Sequence, residues 1–220
     1  LPLLAILACL AALGTLSTNI LLASLPNIAS SFSVATTATG SMMSAFFATF
    51  AIGQLLVGPL SDRYGRRPVV LIVLVVFVAG SLLCAAATSL PVVVVGRVVQ
   101  AIGVCASSVL SRAIARDLFS GAELGRVLSF VMVAMAAAPG FSPLLGSGLD
   151  YAFGWRSTFV AVALFGIALG LAYSASVGET HRGERGGFDP AEILRGYRAL
   201  LGDRRFIVPA ASVSMVLGGL

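Results

Sequence analysis

Six apolar runs dominate the chain, at about residues 3–24, 36–59, 68–88, 91–112, 125–149 and 155–176. Each reaches the roughly 20 residues that a helix needs to cross the hydrocarbon core of a bilayer. No water satisfies backbone N–H and C=O groups inside that core, so each run is predicted to be a helix bonded within itself. The composition agrees, at 58% hydrophobic and 10% charged, against roughly a quarter charged in a soluble domain. So few charges cannot clothe a water-soluble surface. The predicted class is all-α integral membrane.

The charges are placed unevenly. All basic residues are Arg, and twelve of the fourteen follow the second, fourth and sixth runs. They are Arg63, Arg66 and Arg67; Arg112, Arg116 and Arg126; and Arg182, Arg185, Arg195, Arg198, Arg204 and Arg205. The connections after the first and third runs carry no charge, and the one after the fifth carries Asp150 and Arg156. Arg-rich connections stay in the cytoplasm, which predicts a multi-pass protein of the cell (inner) membrane with its N-terminus inside. The net charge of +5 therefore reads as membrane topology, and no nucleic-acid partner is expected.

The first run lacks the basic flank of a signal peptide and reads as a membrane helix with its start missing. Residues 1–176 form the predicted six-helix bundle. Residues 177–205 read as a cytoplasmic linker, in which Asp189, Pro190 and Glu192 have the pattern that opens a helix. Ile193, Leu194, Tyr197, Leu200 and Leu201 then share one face of a short amphipathic helix, lying on the membrane surface or on the protein's own cytoplasmic ends. Residues 206–220 read as the start of a seventh span, so that the chain reads as part of a longer one. Cys9, Cys84 and Cys105 sit in apolar runs, with spacing that fits neither a metal site nor a disulfide framework. His181 lies in a polar stretch without neighbouring ligands. No metal or cofactor is expected, and with no His in a span and scattered acids, a membrane-embedded enzyme is disfavoured.

Three motifs interrupt the apolar runs. Between the second and third, "GPLSDRYGRRP" carries Gly58, Asp62, Arg63, Gly65, Arg66 and Arg67. Arginines alone would anchor a cytoplasmic loop; they explain neither Asp62 nor the two glycines. Gly58 would let another helix approach closely, Asp62 would accept hydrogen bonds from a helix N-terminus, and Gly65 would permit a tight turn. In the fourth run, "GRVVQAIG" places Arg97 deep in apolar sequence with Gln100 three residues on, close to the same helix face. Such a residue faces a cavity or a partner, or snorkels to the surface. In the fifth, "AAAPGFSPLLGSG" sets Pro139 and Pro143 four apart, with Gly146 and Gly148 after them, which predicts a kinked helix that packs closely.

The first motif closely resembles the signature loop of the major facilitator superfamily. The second resembles the Arg-containing fourth-span motif of its proton-coupled members. The third resembles the fifth-span antiporter motif, in a variant with two prolines. "SRAIARDLF" and "FGWRSTF" are similar to the Bcr/CflA branch of drug–proton antiporters. The resemblance implies the six-helix N-terminal bundle of a twelve-span fold, rocking against a C-terminal half about a central cavity. In that picture the first, second, fourth and fifth spans line the cavity, with Asn19, Met43, Phe46, Phe47, Arg97, Gln100, Ser108, Met132 and Met135 as candidates. Asp62 would bond helix ends of the opposite bundle and steady the outward-facing state. The implied function is export of drugs or amphipathic metabolites in exchange for protons. The implied partners are a small-molecule substrate, protons, the lipid bilayer and the C-terminal half. One departure bears on coupling: Asn19 stands where the branch commonly has Asp, and Asn cannot carry a proton. The carrier would be Asp150, a group elsewhere in the protein, or none, and the last case describes a proton-independent facilitator or exchanger.

Overall fold

A computed structural model describes residues 2–180, 195, 202, 203, 207–209, 211 and 212. The chain divides into two units, Leu1–Arg185 and Gly186–Leu220. The first contains α1 (Pro2–Leu22), α2 (Leu25–Ser31), a 3-10 turn (Thr36–Thr39), α3 (Gly40–Tyr64), α4 (Arg66–Ala85), α5 (Leu90–Val104), α6 (Ser107–Leu118), α7 (Gly121–Phe153) and α8 (Arg156–Ser176). No strand occurs among the described residues. Among the described residues, six stretches are long and apolar enough to cross a membrane: α1, the turn with α3, α4, α5 with α6, α7 and α8. In the second unit, residues 195, 202, 207–209, 211 and 212 are helical. The amphipathic helix expected from Asp189, Pro190 and Glu192 lies outside the described residues.

The helix ends differ from the sequence expectation in instructive ways. The stretch read as a loop between the second and third spans is two helix ends around a single residue. Asp62 and Arg63 belong to the last turn of α3, Arg66 and Arg67 open α4, and only Gly65 lies between. Gly65 has φ +93°, a backbone state that residues with a Cβ rarely adopt. Pro68 follows within the first turn of α4, where its missing N–H breaks no helical bond. The fourth span, expected to be continuous, is interrupted between α5 and α6. There the Cys105 thiol donates to the Ile102 carbonyl at 3.2 Å and the Ser107 hydroxyl to the Val104 carbonyl at 2.8 Å. Side chains that take carbonyls from the backbone ladder in this way bend helices. The fifth span is longer than expected, since α7 runs unbroken through Pro139 and Pro143 until Gly154, at φ +79°, ends it.

Packing relies on closeness more than on apolarity, because lipid is as apolar as a protein core. Between α4 and α5, a Cβ at Gly80 would collide with the Gln100 backbone and one at Gly103 with the Phe77 backbone. Between α1 and α7, a Cβ at Gly146 would collide with the Ile20 carbonyl. Leu7, Leu10, Phe46, Phe77, Val104, Leu110 and Tyr173 belong to one buried cluster. A second gathers Leu21, Ile28, Met42, Cys84, Trp155 and Phe159. Ile72, Val75, Leu144, Leu164 and Leu171 stay exposed, as an apolar exterior in contact with lipid requires.

Candidate functional site

A cavity of about 630 Å³ lies between α1, α3, α6 and α7. The helix break at Cys105–Ala106 sets off α6, which presents Ser107, Ser108 and Arg112 to it. From α1 come Gly14, Thr15, Thr18 and Asn19; from α3 come Met43, Phe46, Phe47, Phe50 and Gln54; from α7 comes Met135. Phe46 and Phe50 stack with centroids 6.0 Å apart, and Phe47 meets Phe46 edge-on. Of the cavity candidates, Asn19, Met43, Phe46, Phe47, Ser108 and Met135 line it; Met132 does not, and is exposed. Met132 and Met135 are three residues apart, about 60° around a helix axis, which suffices to turn Met132 away. Gln54 and Arg112 were not anticipated as lining residues, although a lone Gln inside a span is itself a signal. No carboxylate lines the cavity among the described residues.

Arg97 and Gln100 do not reach the cavity surface. Arg97 is wholly buried, so it does not snorkel. Its guanidinium lies 3.9 Å from the centroid of the Phe46 ring, on which it stacks. Nη1 donates to Gln100 Oε1 at 2.5 Å and to the Ser17 carbonyl at 3.4 Å, and Nη2 to the Met43 thioether at 3.8 Å. Gln100 Nε2 donates to the Ser81 hydroxyl at 2.7 Å, which donates to the Phe77 carbonyl at 2.8 Å. Arg97 Nε has no hydrogen-bond partner among the described residues. Every acceptor of this cation among the described residues is neutral.

The third coupling candidate is elsewhere. Asp150 is buried near the end of α7, where it accepts from Asn27 Nδ2 at 2.8 Å. At this end of the bundle Trp155 Nε1 also donates to Ser31, and Arg156 donates to the Ala87 carbonyl while stacking on Trp155. Arg97 with Gln100 and Asp150 thus occupy two separate sites.

The Arg-rich end holds a charged network. Arg66 pairs with Asp62 at 2.7 Å and with Asp117, at the end of α6, at 3.2 Å, and bonds the Ser61 hydroxyl. Arg67 Nη2 donates to the Ser174 carbonyl at 3.0 Å. The backbone N–H groups of Arg66 and Arg67 donate to the two oxygens of Glu179, at 2.9 and 3.2 Å. These N–H groups have no partner within α4, and a carboxylate is favoured at a helix N-terminus. The Asp62 side chain stays 53% exposed. Gly58 has no described residue within 4 Å of a would-be Cβ, so the described part of this bundle makes no close approach there.

The family model described as the Major Facilitator Superfamily matches residues 7–220. The uncharacterized MFS-type transporter YdgK of Bacillus subtilis (strain 168) is 35% identical over 220 residues, covering 97% of this chain and 54% of that protein. Multidrug resistance protein D of Escherichia coli (strain K12) is 28% identical over 218 residues, covering 99% of this chain and 54% of that protein. The chain therefore spans about half the length of these curated relatives. A bacterial homolog of the human lysosomal transporter Spinster, solved inward-facing and unoccupied, superposes with TM-score 0.71 at 18% identity, over 86% of this chain and 46% of that one. With the matched motifs and the six-span bundle, these findings place the chain in the major facilitator superfamily, to which it belongs.

Proposed function

We propose that the full-length protein is a secondary transporter, not an enzyme, that exports drugs or amphipathic metabolites by alternating access, in exchange for protons. The observation that carries this reading is the mixed cavity wall: Met43, Phe46, Phe47, Phe50 and Met135 beside Asn19, Gln54, Ser108 and Arg112. Met and Phe repack around loosely specified apolar bodies, and a few polar groups orient them. The similarity to a multidrug resistance protein across 99% of the chain supports the same reading. Residues 1–176 would form one bundle and rock against a second about the cavity, with 177–205 as linker and 206–220 opening a seventh span. The Arg placement supports an inner-membrane protein with its N-terminus and Arg-rich end in the cytoplasm. There Gly58, Asp62 and Gly65, with Arg63, Arg66 and Arg67, would gate the cavity against the opposite bundle. Pro139, Pro143 and Gly146 would shape the span that closes it. Arg97, Gln100 and Asp150 are the groups of this half assigned to coupling.

A second reading, a proton-independent facilitator or exchanger, is favoured by Asn19 and by the absence of a carboxylate from the described wall. Full-length protein in proteoliposomes, given a fluorescent amphipath and an imposed pH gradient, separates the two. Accumulation that collapses with the pH gradient is the expected result. Equilibration indifferent to that gradient assigns the facilitator, and movement of no amphipath contradicts both readings.

A further inference from the structure

The charge around the cavity is of one sign among the described residues. Arg112 is its one charged lining residue among those described, and it is half-buried. It makes no hydrogen bond or ion pair to a described residue, and Arg116, about one turn further along α6, is a second cation. Asp117, the one carboxylate on α6, is engaged elsewhere, by Arg66 at 3.2 Å and by the Thr180 hydroxyl at 3.4 Å. Behind the wall, Arg97 is wholly buried among neutral acceptors and stacks on Phe46, whose ring lines the cavity. Two positive charges thus act on the cavity, and no carboxylate among the described lining residues cancels them. A low-dielectric surround strengthens such a field.

The donors point the same way. The Ser108 hydroxyl and the Gln54 amide line the cavity, and neither is hydrogen-bonded to a described residue. The guanidinium fork matches a planar carboxylate or a sulfonate through two parallel bonds. An Arg left half-buried and unpaired retains that capacity for a ligand.

We infer that the cavity selects amphipaths bearing a single negative charge, a carboxylate or sulfonate on an aromatic or aliphatic body, and disfavours permanent cations. Arg112 pairs with the anion, Ser108 and Gln54 donate to it, and Met135 with the Phe46–Phe50 ladder holds the apolar body. This rests on the reading of the cavity as the transport site and adds the charge class of what enters it.

The test compares three probes with one ring system: naphthalenesulfonate, naphthol and naphthyltrimethylammonium. Full-length protein is reconstituted in phosphatidylcholine, which carries no net charge and supplies no competing anionic headgroup. Binding of each probe, radiolabelled, is measured directly by equilibrium dialysis against protein-free liposomes. The anion is expected to bind at least about tenfold more tightly than the cation. Arg112→Gln is expected to lower anion affinity about tenfold while leaving naphthol within about twofold, which also shows that the variant is folded. Arg112→Lys should recover part of the loss. Equal or tighter binding of the cation overturns the inference and leaves the export reading standing, as does unchanged anion affinity in Arg112→Gln. Failure of all three probes to bind overturns both.

Discussion

Arg97 shows what a single residue demands of its surroundings. A wholly buried guanidinium is costly unless most of its N–H groups find acceptors; here the two Nη groups find Gln100, the Ser17 carbonyl and the Met43 sulfur, while Nε finds none among the described residues. Replacing Gln100 with Leu leaves Arg97 Nη1 only the long bond to the Ser17 carbonyl, at 3.4 Å, and removes the donor to Ser81. The expected loss is about 1–3 kcal/mol of stability, read as a lower denaturation temperature of the full-length protein in detergent; an unchanged temperature would show that the bond contributes nothing. The Arg97–Gln100 pair was legible because both lie on one helix, three residues apart. Phe46, Ser81 and the Ser17 carbonyl were not, since each comes from another helix and depends on how the helices are rotated. The same limit explains Met132, whose helix periodicity was clear and whose direction was not.

At the scale of elements, glycine placement sets how near the helices come. Gly146→Ala puts a methyl group against the Ile20 carbonyl, whereas Gly148→Ala meets nothing within 4 Å. The first should destabilise the bundle by about 1–3 kcal/mol, as overpacking does, and the second should not. Paired thermal denaturation of the two variants checks this, and equal melting would remove the α1–α7 contact from the account. The six spans were legible from apolar length alone, but their ends were not. Side-chain bonds at Cys105 and Ser107 break the fourth span, a local choice that hydropathy does not encode. Glu179 falls at the start of the stretch that reads as a linker, and it caps α4. Its partners, Arg66 and Arg67, are more than a hundred positions away in sequence, so no local pattern could announce them.

At the scale of the whole molecule, cavity charge bears on energetics. A monoanion leaving a cell whose interior is negative gains about 2.3 kcal/mol per 100 mV. Such a substrate could be expelled without a proton carrier in the cavity wall, which accords with Asn19. The measurement that tests the central claim most directly is substrate counterflow in proteoliposomes by two tryptophan variants of the full-length protein. Asn19→Trp places an indole inside the 630 Å³ cavity, while Met132→Trp places one on an exposed surface outside it. If the cavity is the transport path, Asn19→Trp abolishes counterflow and Met132→Trp leaves it near the wild-type rate. Counterflow at the wild-type rate in Asn19→Trp would contradict the account.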